Sequence, residues 1–318
     1  MSTLPDPPLT EAMLRRYQLR AQRQFQSGLS GGHLTRRQGQ SLEFREFTTY
    51  IPGDDIRHVD WRASSRYGGE YDLLVRRFVA EEQYSLVISI DTRATMHLPL
   101  ALPKLQMANW LAEAITWVAL RSGDRVILHQ LFDAAAQPPV VLRGSAGLTQ
   151  IRRGLERCQP QTSSATAIGV ESLNLNSLRP FLPPTAIWLI VTDFYFSAAQ
   201  AEALAARIVQ AQNGFRQVLL VELDSWEHER ALVGMGPRLI EGPGLTVERP
   251  HYEIGEAELE TVATAIRQHK MRFLARLHRD RVDSWWQWPT GPIDHAAFFR
   301  ACFLEDRALQ SLFERKFA

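Results

Sequence analysis

Residues 50–66 read YIPGDDIRHVDWRASSR, and several of their side chains could do chemistry: Asp54 and Asp55 are adjacent carboxylates, and Arg57, Asp60 and Arg62 follow closely. Neighbouring carboxylates serve as general acid and base when their surroundings split their pKa values. Such a pair also needs a nucleophile, a metal-ligand set or a phosphate-cradling glycine loop nearby, and none stands here in recognisable form. The same residues build a turn more readily. Pro52 presets a turn residue, Gly53 supplies a positive φ, and Asp54 or Asp55 accepts from backbone amides just downstream. Arg57, Asp60 and Arg62 alternate with Ile56, Val59 and Trp61, which suits a short extended segment whose charges pair with neighbouring loops. We read the stretch as an ionic brace locking an N-terminal subdomain to the following sheet. Two further carboxylates, Asp91 and Asp193, each close an apolar run, and Thr166 in SSATAIGVESL sits at what reads as a loop-to-helix junction.

The elements that must position these groups are legible in the middle of the chain. YSLVISID (84–91), DRVILHQL (124–131), PVVLRG (139–144), AIWLIVTD (186–193) and QVLLVEL (217–223) are short apolar, β-branched runs, as expected of strands buried on both faces. Helices read between them. One opens at Pro103 and stops at Gly123; another opens on Ser197 with Gln200 in capping-box spacing and closes on Gly214. Strands alternating with helices of this length predict an α/β fold, a mainly parallel sheet covered on both faces. Ligands of such sheets bind beyond the carboxyl ends of the strands, the edge where Asp91 and Asp193 stand. Phe194, Tyr195 and Phe196 follow Asp193 directly, and Tyr195 and Phe196 are candidate anchors for a partner.

In Asp91, Arg93, Thr95, Thr166 and Asp193 the chain resembles the metal-ion-dependent adhesion site of von Willebrand factor A domains: Asp-x-Ser-x-Ser after a first strand, a loop Thr, and a later Asp. The upstream LEFREFTTYIPGDDIRHVDWRASSR resembles a narrower bacterial group, domain of unknown function 58, through its signature Tyr50, Gly53, Asp54, Asp55, Arg57, Asp60 and Trp61. The resemblance covers roughly residues 30–225. It implies a von Willebrand A-like, Rossmann-like fold with a small N-terminal subdomain, and an interaction or assembly role alongside a MoxR-type AAA+ ATPase, with no reaction of its own. It also implies Mg²⁺ on Asp91, Thr95, Thr166 and Asp193, and there this chain departs from the pattern. Arg93 replaces the middle hydroxyl, and a guanidinium has donors only and cannot ligate a cation. Arg93 is expected to displace the metal by pairing with Asp91 or Asp193, leaving a degenerate site and no required cofactor.

Composition narrows the alternatives. A formal net charge of +1 advertises neither nucleic acid nor membrane. Cys158 and Cys302 are too isolated for a disulfide framework or a zinc site. No apolar run approaches the ~18 residues of a spanning helix, so a soluble, cytoplasmic protein is expected. We divide the chain into residues 1–80, holding an N-terminal helix with Leu9, Met13, Tyr17, Ala21 and Phe25 on one face, a basic Gly-rich segment and the signature subdomain, and residues 81–318, the von Willebrand A-like domain with a helical extension. Trp285, Trp286 and Trp288 in the tail read as packing or an edge strand. Two alternatives to the interaction protein remain: a metal-dependent phosphohydrolase, because Asp91-Thr-Arg-Ala-Thr superficially matches an Asp-x-Asp-x-Thr start with Arg93 in place of the second Asp, and nucleic-acid binding through the arginine-rich arm of residues 12–42.

Overall fold

The apolar runs form strands because every residue of two of them is buried: β1 (Ser85–Ile90) and, later in the chain, Ala186–Thr192 lie wholly inside. The computed structural model describes residues 4–19, 42–52, 56–67, 73–80, 84–133, 137–158, 173–183, 186–214, 216–233, 238–241, 251–277 and 281–315. Contacts divide the chain into a larger unit, Met1–Gln22 with Tyr84–Ala318, and a smaller one, Arg23–Gln83. The first 22 residues thus group with the larger unit, and the smaller unit ends at Gln83.

The larger unit holds a six-stranded sheet. After β1 come β2 (Arg125–Gln130), β3 (Val140–Arg143), β4 (Ala186–Thr192), β5 (Gln217–Asp224) and β6 (Arg281–Gln287). Their order is β6-β5-β4-β1-β2-β3, parallel throughout except β3, which runs antiparallel to β2. Long helices make the crossovers: α1 (Lys104–Arg121) joins β1 to β2, α2 (Ala198–Asn213) joins β4 to β5, and α3 (Trp226–Val233) and α4 (Glu256–Ala275) lie between β5 and β6. Side chains alternate between faces along each strand. Leu86, Ile88 and Ile90 join α1 and the C-terminal α5 (His295–Glu305), while Val87 with Trp188 and Ile190 meets α2 and Phe273 of α4. Helices therefore flank a mostly parallel sheet. No helix among the described residues is long and apolar enough to cross a membrane.

Local sequence sets the helix ends. Ser197 and Gln200 form the predicted capping box. Gly123 takes φ 87, and the amides of Gly123 and Asp124 donate to the carbonyls of Leu120 and Ala119, the paired bonds of a Schellman stop. The N-terminal helix is a correction: among its described residues only Glu11–Leu14 is helical, and Tyr17–Leu19 instead pairs antiparallel with Phe313–Arg315. Tyr17, set on the helix face by its spacing, thus belongs to a strand, and Ala21 and Phe25 lie outside the described residues. The tail follows its sequence reading, with β6 at the sheet edge, Trp286 and Trp288 buried and Trp285 exposed.

In the smaller unit Leu42–Thr49 pairs antiparallel with Leu74–Ala80. The stretch expected to be extended after the Gly-Asp-Asp turn is instead a 3-10 turn, Ile56–His58, followed by a helix, Trp61–Tyr67. The cause is Asp60. Its Oδ1 accepts from the amides of Arg62 and Ala63 at 3.0 and 2.9 Å, which satisfies donors that open a helix.

Candidate functional site

Strand order places the switch point between β1 and β4, and the register levels their ends, Ile90 lying opposite Val191. Asp91 and Asp193 therefore emerge side by side from adjacent strands. Arg93 sits between them. Its Nε and Nη2 donate to Asp91 Oδ1 and Oδ2 at 3.0 and 2.7 Å, Nη2 reaches Asp193 Oδ1 at 3.3 Å, and Nη1 donates to the Tyr195 carbonyl at 2.7 Å. The guanidinium lies 4.2 Å from the Phe132 ring centre and 5.2 Å from that of Phe196, so cation–π attraction adds to the ion pairs. Phe194, at φ 62, turns the chain so that the Tyr195 carbonyl meets Arg93. A left-handed non-glycine residue carries strain of order ~1 kcal/mol or more, held here by the packing of Phe194 against Phe196 and Phe273.

A second cation completes the cluster. Lys104 Nζ, wholly buried, lies 3.2 Å from both Asp193 Oδ2 and Glu229 Oε1, and 4.8 Å from the Tyr195 ring centre. The Thr192 hydroxyl donates to Asp91 Oδ2 at 2.7 Å, and the Tyr195 amide to Asp193 Oδ1 at 3.1 Å. Burial drives the Asp91 carboxyl above its ordinary value, while the Arg93 hydrogen bonds pull it back. Burial, then the charges of Glu229 and Asp193, pushes the Tyr195 phenol up. Both Asp91 oxygens accept hydrogen bonds.

A divalent cation does not fit these residues as they stand. Mg²⁺ needs near-octahedral oxygen ligation, and two fixed cations already meet the carboxylates that would supply it. Of the residues the resemblance assigned, Asp91, Arg93 and Asp193 come together. The Thr95 hydroxyl is buried without a hydrogen-bond partner among the described residues, and Thr166 lies outside them. Lys104, Glu229, Thr192 and Phe132 were missed. A lysine opening a mostly apolar helix, with no acidic residue in its first turn, was the available signal, because a cation there opposes the helix dipole and needs a carboxylate.

Other candidates fall elsewhere. Phe196 is 7% exposed and Tyr195 half-buried, so the aromatic run packs inward and Phe196 is no surface anchor. In the smaller unit the Tyr50 amide donates to the Leu73 carbonyl at 2.6 Å, and Arg57 and Trp61 are exposed. Asp60 Oδ2 takes Arg76 Nε at 2.7 Å and also Nη2, so the ion pair described here is internal to that unit. Gly53, Asp54 and Asp55 lie outside the described residues. Inside the sheet, Ser89 Oγ meets His129 Nδ1 at 2.9 Å, and His129 Nε2 meets the Asn174 carbonyl at 2.8 Å. That carbonyl fixes the neutral Nε2–H tautomer, and Ser89 also accepts from the Trp188 indole at 2.9 Å. Serine and histidine are both 0% exposed, so no substrate reaches this pair.

Three uncharacterized proteins, one from Mycobacterium bovis and two from strains of Mycobacterium tuberculosis, are 30% identical to the chain over 122 residues, 38% of its length and 38% of theirs. The match thus spans well under half of each relative. Residues 46–250, from the signature segment through the sheet to beyond β5, match the family described as Protein of unknown function DUF58, and the chain belongs to that family.

Proposed function

We propose that this is a non-enzymatic interaction or assembly protein: a von Willebrand A-like module whose adhesion site is closed by its own Arg93, working with a MoxR-type AAA+ ATPase. The observation that carries this reading is the Arg93 guanidinium bonded to both Asp91 and Asp193. A tethered cation in place of a metal makes the edge permanently formed, a rigid platform rather than a metal-gated one. Leu98 and Leu100, on the loop leading from Asp91 into α1, are 41% and 84% exposed and take over from Tyr195 and Phe196 as anchors. A phosphohydrolase is disfavoured because its nucleophile would be Asp91, whose oxygens are both engaged.

The test has a metal arm and a partner arm. Millimolar Mg²⁺ should leave the wild-type melting temperature at its value in a chloride salt of matched ionic strength, and Arg93→Ser should gain Mg²⁺-dependent stability. A wild-type rise that disappears in Asp91→Ala would overturn the closed site. Co-purification with a MoxR-type ATPase from the same cell should be lost in folded Leu100→Asp. Retention of the ATPase by that variant would remove this edge as the platform, and absence of any ATPase with the wild type would remove the partnership.

A further inference from the structure

At the opposite, amino edge of the sheet three arginines gather around one pocket. A pocket there is lined by Arg179, Leu182, Arg207, Gln210, Ala211 and Arg216. Arg179 lies on the 3-10 turn before β4, Arg207 near the end of α2, and Arg216 just ahead of β5. Among the described residues no carboxylate pairs with any of the three. Arg216 Nε instead donates to the Leu182 carbonyl at 2.6 Å, Arg207 Nη1 to Gln210 Oε1 at 2.5 Å, and Arg207 Nε–H is buried without an acceptor. Burial, then the charges of Arg179 and Arg216, pulls Arg207 below the usual guanidinium range. Like charges held this close repel one another until an anion joins them.

Local sequence builds the seat. A Cβ on Gly214 would lie 1.9 Å from Arg216 Nη1, so glycine leaves the room that the Arg216 guanidinium fills. Because Gln210 presents its oxygen to Arg207, its amide nitrogen remains a donor. Guanidinium forks match the oxygens of a tetrahedral oxyanion. The cavity measures about 130 Å³, the space of about four liquid waters at roughly 30 Å³ each and well below the ~300 Å³ where drug-sized sites begin. One oxyanion fits it.

We propose that Arg179, Arg207 and Arg216 form a binding site for a single phosphoryl group, either free phosphate or the phosphomonoester of a small metabolite. The site is separate from the Arg93 cluster and does not depend on the function proposed for it.

The experiment is thermal melting of the full chain in inorganic phosphate, glycerol 3-phosphate, acetate and chloride at matched ionic strength, with calorimetric titration of phosphate as a direct measure. Phosphate should raise the melting temperature above that in acetate or chloride. A rise with glycerol 3-phosphate at least as large as that with phosphate assigns the site to a phosphomonoester, and a smaller one assigns it to free phosphate. Arg179→Gln should melt no lower than wild type in chloride, since it relieves repulsion, yet lose the phosphate increment and the calorimetric signal. Equal melting in phosphate and chloride, equal effects of acetate and phosphate, or an Arg179→Gln protein that keeps the increment would each overturn the proposal.

Discussion

Asp91 and Asp60 hold almost the same partners in different surroundings. Each carboxylate accepts the amide two residues ahead, Arg93 or Arg62, at 3.1 or 3.0 Å. Each also takes an arginine through Nε and Nη2, Arg93 for Asp91 and Arg76 for Asp60. Their pKa values nevertheless move oppositely. Burial leads for Asp91 and raises it, whereas for Asp60 the Ala63 amide leads, followed by Arg76, and lowers it. Hydrogen-bond partners alone thus do not fix the energetics of an aspartate–arginine pair; desolvation decides the sign. Arg93 is about 10% exposed and Arg76 about 50%.

The largest effect should come from breaking the buried pair. Arg93→Ala leaves Asp91 and Asp193 facing each other with one cation fewer, and removing one partner of a buried pair typically destabilises by ~3–5 kcal/mol. Urea unfolding should show a loss of that size. A loss under ~1 kcal/mol would make the buried cluster no stronger than a surface pair and dissolve the contrast with Asp60.

His129 tests whether burial acts the same way on a group held in a neutral network. Burial lowers its pKa to about 4 from 6.5. Its contribution to stability is therefore complete above pH 6.5 and is lost as pH falls toward 4, by ~3 kcal/mol at ~1.4 kcal/mol per unit. His129→Gln should flatten the fall in stability between those pH values. An unchanged slope would place the acid sensitivity elsewhere.

Asp124 is a buried carboxylate with neither an arginine nor a lysine paired to it among the described residues. It accepts the Tyr84 amide at 2.9 Å, and burial raises its pKa to about 6 from 3.8. The stability linked to that rise is fully present below pH 3.8 and lost as pH climbs through about 6, by up to ~3 kcal/mol. Asp124→Asn keeps an acceptor for Tyr84 and avoids the buried charge. It should melt above wild type at pH 8, with the gain vanishing near pH 4. A gain independent of pH would show that desolvation is not what separates Asp124 from Asp60.

The sheet was legible because strands buried on both faces are apolar at nearly every position, and Gly123 and Ser197 mark helix ends through purely local bonds. The position of Asp91 and Asp193 followed from strand order, and the pairing of Arg93 with them from the donor-only chemistry of guanidinium. The meeting of Lys104 with Glu229 was not legible, because it depends on how α1 and α3 approach the sheet edge, 125 residues apart in sequence. The Ser89–His129 pair was hidden for the same reason, being a cross-strand contact set by register. In residues 56–62 apolar alternation suggested a strand, and the Asp60 cap outweighed it, since two backbone donors satisfied by one carboxylate commit the chain to a helix.

The smallest effect should come from the surface pair. Arg76→Ala removes a half-exposed cation from Asp60, and such pairs contribute little once solvent screening is counted. Asp60→Ala removes the same pair and also the cap over Arg62 and Ala63, so it should lower the melting temperature more than Arg76→Ala but less than Arg93→Ala. The Asp60 pKa is lowered, so its contribution is present above 3.8 and disappears as pH falls through the depressed value. Asp60→Ala and wild type should therefore converge in strongly acidic buffer and diverge near neutrality. If Asp60→Ala melts like wild type at pH 7 yet no longer retains the ATPase proposed above as its partner, the segment is a contact surface and not a brace, and the exposed Arg57 and Trp61 beside it become its reading residues.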